Sequence, residues 1–256
     1  MNLMSSHKGA SSTPPVVIVH GWGSTYDRTW AGSNLENVLE IDGRKILRAD
    51  LLGHGRARAP HDSTEYAHMA KALNEQLPVD TPVDAVGFSL GGKLLLQLAC
   101  ENPERFRRLA VIGVGDNLFR PENGAAVAQA LYEGLTEDTA EALRPVLAEA
   151  IASGNDRAAL AAAIQRPASV LTPDRMSAVS AEVLLIVGDL DVIAGSADAL
   201  AMSIPQVTTI ALEGVDHVSS PHSPVVQTLV AQFLRQVRSP NERRSTSDHL
   251  VDPSTP

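Results

Sequence analysis

Val83-Asp84-Ala85-Val86-Gly87-Phe88-Ser89-Leu90-Gly91-Gly92 runs without a break into Lys93-Leu94-Leu95-Leu96-Gln97-Leu98-Ala99. Before the serine the stretch reads as a buried strand, and after the glycine pair it reads as a helix rich in Leu and Ala. Ser89 stands on the turn between them. So tight a turn strains the backbone at its tip and demands small residues two positions before and after it, which Gly87 and Gly91 supply. The turn lifts the Ser89 hydroxyl out of the sheet, and the start of the following helix aims free N–H groups and a partial positive charge at the same spot. A nucleophile and an anion site therefore come together. Taken alone, Gly-x-Ser-x-Gly is also compatible with a plain strand-to-helix connection carrying a capping serine, so the rest of the chain must decide.

The chain has 256 residues, which suits one α/β domain with an insertion or tail. A formal charge of −9 argues against a nucleic-acid partner, which would call for clustered Lys and Arg. Cys100 is the sole cysteine, so no intrachain disulfide can form; a reducing compartment fits, and the thiol reads as packing. The N-terminus lacks the apolar run of a secretory signal, and no stretch has the length of a membrane span. These features lead us to expect a cytoplasmic protein with no membrane partner, a mobile arm over residues 1–14 and a disordered tail over 239–256.

Pro15 to His20 reads as a strand buried on both faces and ends in the loop His20-Gly21-Trp22-Gly23. A helix over Thr29 to Glu40, a strand over Lys45 to Asp50, the loop Leu51 to Arg56 and a helix over Glu65 to Gln76 follow. The strand before Ser89 and another over Arg108 to Gly115 extend the alternation, which predicts a parallel sheet with right-handed crossovers and helices on both faces. His54, between glycines, reads as structural or solvated. Asn117 to Met176 holds no strand pattern and breaks at prolines and glycines into three or four short helices. The sheet resumes at Glu182 to Gly188, continues at Val207 to Leu212 and ends in an amphipathic helix over Pro224 to Val237. We therefore expect a core over 15–116 and 181–238, with a helical cap over 117–180 covering the carboxyl edge of the sheet.

Two loops leave that edge beside Ser89: Gly188-Asp189-Leu190-Asp191 and Gly214-Val215-Asp216-His217. A serine hydroxyl is a poor nucleophile unless a base takes its proton, and the base needs a carboxylate to fix its tautomer. Ser89, an aspartate and His217 meet that need, in the chain order associated with a nucleophile elbow. Asp189 and Asp191 both lie in the acid-bearing loop, and Asp216 reads as a turn residue.

Together with His20-Gly21-Trp22-Gly23 and Asp50-Leu51-Leu52-Gly53-His54-Gly55, these motifs resemble the α/β-hydrolase superfamily over roughly residues 15–237. The resemblance implies Ser89 as nucleophile, His217 as general base and then acid, and backbone N–H groups of Trp22 and Leu90 as the oxyanion hole. Its pattern of Gly, two variable residues and Asp favours Asp191 as the acid, leaving Asp189 to brace the loop. Proteins of this kind usually begin with a strand hairpin, for which the residues before Pro15 leave little room. We therefore expect about six strands, with an exposed edge compatible with a homodimer.

Phe88, Val192, Phe119, Leu131 and Tyr132 are expected to line a mostly apolar substrate pocket, with Trp22, Leu135 and Leu143 nearby. No metal or organic cofactor is required. The leading expectation is hydrolysis of a small or medium carboxylic ester or lactone through an acyl-enzyme. Carbon–carbon bond hydrolysis or acyl transfer on the same triad is the alternative, and a small-molecule sensor with little turnover is the alternative of another class.

Overall fold

The computed structural model describes residues 13–79, 81–137, 139–167 and 170–235. Most of the expected arm, residues 1–12, and all of the expected tail over 239–256 lie outside these. Six strands form one sheet: β1 (Val16–Val19), β2 (Ile46–Ala49), β3 (Val83–Phe88), β4 (Phe106–Ile112), β5 (Glu182–Gly188) and β6 (Val207–Leu212). Their spatial order is β2-β1-β3-β4-β5-β6, and every neighbouring pair is parallel. β3 is thus central, and its register sets Gly87 beside Val19 and Val111.

The helices explain why the central strands lack alternation. α1 (Tyr26–Thr29), α2 (Asn34–Ile41), α3 (Met69–Asn74) and α4 (Leu90–Glu101) belong to the first half; α5 (Gly124–Glu133), α6 (Arg144–Ala152), α7 (Arg157–Ile164) and α8 (Pro173–Met176) fall between β4 and β5; α9 (Asp198–Ser203) and α10 (Pro224–Arg235) complete the order. Val16, Ile18, Val86 and Ile112 pack with Leu35 and Leu39 of α2 and Val230 and Phe233 of α10. Their strand neighbours Val17, Val19, Ala85 and Val111 pack with α3 and α4 on the opposite face. Both faces are covered, so every position of β1 and β3 is buried and apolar side chains are favoured, the charged Asp84 of β3 being held by ion pairs.

Two of the helices differ from the sequence expectation at their ends. The helix expected over Thr29 to Glu40 starts later, as α2 at Asn34, with Thr29 ending the short α1, because Gly32 adopts a left-handed backbone conformation and Ser33 caps α2 by accepting the Glu36 N–H. The segment from Glu65 begins as a 3-10 turn over Ser63–Tyr66, capped by Asp62, before α3 starts at Met69.

The segment between β4 and β5 is helical throughout its regular elements. Leu131 of α5, Leu147 of α6 and Leu160 of α7 are fully buried in the same core as Leu94 and Leu118. At about 2–3 kcal/mol for each buried leucine, this packing holds the insertion against the carboxyl edge of the sheet. At the opposite, amino edge, the fully buried Asp84 accepts from Arg44 at 2.6 Å and from Arg107 through both oxygens. That ion triad closes the end of the sheet remote from Ser89. Among the described residues no helix is long and apolar enough to cross a membrane.

Candidate active site

Ser89 has φ 48° and ψ −117°, and it is the one non-glycine among the described residues with positive φ. This conformation is costly for a residue with a side chain and persists only where the surroundings enforce it. The enforcement is visible on both sides. A Cβ at Gly91 would fall 2.5 Å from the His20 carbonyl oxygen, and one at Gly87 would fall 2.7 Å from the Gly92 backbone. Chain and neighbours thus pack too closely for any residue but glycine at those two positions.

The hydroxyl so presented meets the two loops. His217 Nε2 lies 2.9 Å from Ser89 Oγ, and His217 Nδ1 lies 2.8 Å from Asp191 Oδ2 and 2.9 Å from Oδ1. The Asp191 carboxylate is fully shielded, and its Oδ1 also accepts the N–H groups of Ile193 and Ala194. These bonds fix it against rotation. A carboxylate facing Nδ1 requires the proton there, which leaves Nε2 free to accept from the Ser89 hydroxyl. The arrangement can therefore draw a proton from Ser89 and stabilise the resulting imidazolium.

The neighbouring acids have other partners. Asp189 Oδ1 accepts the Gly214 N–H at 2.7 Å, tying the loop after β5 to the loop after β6. Asp216 accepts the Ser219 N–H at 2.8 Å, and this bond holds its carboxyl below the usual range. Trp22 N–H and Leu90 N–H have no acceptor within the chain among the described residues, and both residues line the same cavity as Ser89.

The His20 loop is held by two buried imidazoles. His20 Nε2 accepts the Leu51 N–H at 3.1 Å while Nδ1 faces the Gly21 carbonyl at 2.7 Å. His54 Nε2 accepts the Gly23 N–H at 3.1 Å while Nδ1 faces the Leu52 carbonyl at 3.0 Å. Each ring must then be neutral with its proton on Nδ1. Burial pushes the His54 pKa down to about 3, with His20 beside it acting in the same direction, and burial lowers His20 too. His54 is thus structural, and its position beside the Trp22 loop could not be read from its flanking glycines.

This geometry predicts an acid-side loss of stability. An unfolded His54 binds a proton near pH 6.5, whereas the folded one resists until about pH 3. Between those values the unfolded state holds the extra proton, so stability falls as pH drops through this window, by up to about 1.4 kcal/mol per pH unit for the group. Thermal unfolding from pH 7.5 to 4.5 should show a shallower decline in His54→Gln than in the wild-type protein. Parallel declines would mean that His54 is protonated or exposed in the folded state.

A cavity of about 360 Å³ opens at Ser89. Phe88 lines it as expected, with Trp22 and Leu143, but the other four expected residues lie elsewhere. Leu131 is fully buried in the core, Phe119 packs against that core, and Tyr132 and Val192 face solvent. The apolar wall is formed instead by Val127, Val146, Ile164, Ile193, Val218 and Pro221. These side chains were missed because the helices carrying Val127, Val146 and Ile164 and the loops carrying Ile193, Val218 and Pro221 converge only in the fold; Ile193, adjacent to the expected Val192, was one position away. A polar corner was missed as well: Ser24 and Thr29 hydroxyls lie 2.9 Å apart, and Glu149 accepts from Arg28 at 2.8 Å. Trp22 Nε1 donates to the Leu160 carbonyl at 3.0 Å, joining the loop to α7. Among the described residues no group of three His, Cys, Asp or Glu side chains is placed to hold a metal ion.

Comparison with known proteins places this geometry in a family. The chain is 38% identical over 117 residues to a 2-hydroxy-6-oxo-2,4-heptadienoate hydrolase of Pseudomonas putida, a match covering 43% of this chain and 41% of that protein. It is 26% identical over 234 residues to a pimeloyl-[acyl-carrier protein] methyl ester esterase of Nitrosomonas europaea, covering 80% of this chain and 88% of the relative. The first curated relatives are matched over 30% of their own length. Among solved structures, the enol-lactonase of Burkholderia xenovorans superposes with a TM-score of 0.64 at 21% identity, covering 88% of this chain and 92% of that one. That likeness speaks to the fold. The family model described as "alpha/beta hydrolase fold" matches residues 14–153, more than half of the chain. By that match the chain belongs to the alpha/beta hydrolase fold family.

Proposed function

We propose that the protein is a serine-dependent hydrolase that cleaves small or medium, mostly apolar carboxylic esters or lactones through an acyl-enzyme. The observation that carries this reading is the unbroken hydrogen-bonded line from Ser89 through His217 to Asp191 at the floor of the cavity. Ser89 Oγ attacks the carbonyl carbon while its proton passes to His217 Nε2. The carbonyl oxygen becomes an oxyanion in reach of the free N–H groups of Trp22 and Leu90, each such donor contributing about 3 kcal/mol to lowering the barrier. Collapse expels the alkoxide, which takes the proton from His217. Water then enters, gives a proton to Nε2 and releases the acid, and the Ser89 hydroxyl is restored. Helices α5, α6 and α7 serve as the cap that shields these steps from bulk water.

Substrate size follows from the cavity. About 360 Å³ lies near the lower end of small-molecule sites, and its wall is largely aliphatic and aromatic. Similarity to a relative named as a methyl ester esterase supports the ester class, and a lactone presents the same bond closed into a ring. A chain-length series of p-nitrophenyl esters, with intact-mass detection of the protein, tests the reading. Turnover should peak at short to medium acyl chains and fall for long ones, with a transient mass increase equal to one acyl group. Neither turnover nor adduct across the series would overturn the ester reading and favour carbon–carbon hydrolysis or ligand sensing on the same fold.

A further inference from the structure

A second cavity, also of about 360 Å³, adjoins the first, and Lys93, Arg120, Glu122 and Ile164 line both. Glu122 bridges the insertion to the central helix, with Oε1 2.8 Å from Lys93 Nζ and Oε2 2.9 Å from Arg166 Nη2. Arg166, on the second cavity, is 7% exposed at its side chain and Lys93 is 15% exposed. The Arg120 guanidinium has no partner among the described residues, and it lines both cavities.

Two cations therefore share one carboxylate, and a third, Arg120, stands on the same cavity unpaired among the described residues. Burial works against ionisation of Glu122, but Arg166 and Lys93 outweigh it and hold the pKa below its ordinary value, so the carboxylate is charged. Tyr66 is the other titratable side chain on the second cavity; its hydroxyl donates to the Pro60 carbonyl, and burial pushes its pKa up to about 12, so it adds no charge. A local excess of two positive charges stands in a chain whose formal charge is −9. Lys93 and Arg166 are shielded and have a single carboxylate between them, while the exposed Arg120 guanidinium is open to a ligand at the cavity mouth, so an anion there would be held by charge-assisted bonds.

We propose that the second cavity binds an anionic group, a carboxylate or a phosphate, on Arg120, Lys93 and Arg166. The group can belong to the far end of an ester whose carbonyl is at Ser89, a source that rests on the serine-hydrolase reading, or to a separate small anion. Lys93 follows Ser89 by one helical turn, its N–H donating to the Ser89 carbonyl at 2.9 Å. A carbonyl and an anion separated by roughly 6–10 Å within one molecule can reach both, given a rise of about 5.4 Å per turn and the length of the lysine side chain.

Two measurements decide it. Inorganic phosphate and glutarate are titrated calorimetrically into Ser89→Ala protein, with neutral glutaramide as control; binding of an anion should weaken roughly tenfold or more when Arg120→Gln is added. The exposed Arg120 side chain makes no hydrogen bond or ion pair among the described residues, so this change leaves the fold undisturbed. In parallel, kcat/KM for mono-p-nitrophenyl adipate is compared with that for p-nitrophenyl hexanoate. A preference for the adipate that collapses in Arg120→Gln assigns the site to the substrate's own end, and anion binding without that preference assigns it to a separate anion. No binding of either anion, together with an ester ratio unchanged by Arg120→Gln, overturns the proposal. If no ester is turned over by the wild-type protein, the serine-hydrolase reading falls while the titration still decides the anion site.

Discussion

Ser89→Ala should abolish ester turnover, with a loss in kcat on the order of 10^5 or more, and should leave the fold intact. On the proposed mechanism the loss is this large because Oγ is the atom that forms the acyl bond, and His217 and the N–H donors of Trp22 and Leu90 then have no other nucleophile to serve. Retention of fold follows from the packing around the turn: among the described residues the hydroxyl's one hydrogen-bond partner is His217. The same position yields a second readout. Ser89 is held at φ 48°, and only glycine tolerates that conformation without steric cost. Ser89→Gly should therefore be more stable to denaturant than Ser89→Ala by about 1–3 kcal/mol, while both are inactive. Equal stability of the two would mean that the turn relaxes once the serine is gone, and undiminished turnover in Ser89→Ala would remove the mechanism.

Asp191→Asn should lower kcat by roughly 10^4, and Asp189→Asn should change it by less than about tenfold. An asparagine at 191 keeps the shape and can still accept the N–H groups of Ile193 and Ala194, but it can present its amide N–H to His217 Nδ1. The imidazole would then carry its proton on Nε2 and could no longer take the one from Ser89. Asp189 faces the Gly214 N–H rather than His217, so its loss loosens a loop without changing the tautomer. Steady-state kinetics on one ester for both variants suffices. A severe Asp189→Asn beside a mild Asp191→Asn would transfer the acid's role to Asp189 and contradict the hydrogen bonds described above.

Much of the fold was legible because its signals are local. The β-branched run of Val16–Val19 and the apolar run around Val86 read as strands buried on both faces, since each lies between helix layers and tolerates no polar alternation. The tight strand-to-helix turn at Ser89 was marked by glycines whose absence of a side chain is itself a steric requirement. Chain order placed an acid and a histidine after strands that end at the same edge of the sheet. The residues left Asp189 and Asp191 as alternatives, the family pattern favoured Asp191, and its hydrogen bonds to His217 agree with that preference.

The order of the strands and the wall of the cavity depend on contacts between distant segments, and no local pattern carries them. Leu131 and Tyr132 are neighbours on α5, yet the helical step of about 100° turns one into the core and the other to solvent. Which face of α5 is covered depends on where α7 lies against it, and the Ala-rich sequences of both helices specify many such packings almost equally well. The same holds for His54, whose Nε2 meets the Gly23 N–H across 31 residues of sequence, and for Lys93, Arg120 and Arg166, which come together only once the insertion folds back over α4. The sequence by itself determined the sheet class, the strained serine and the direction from which its partners arrive, because steric and periodic constraints act within a few residues. Tertiary structure alone decided the shape and charge of the space above that serine, because these arise from side chains that meet only when separate helices pack.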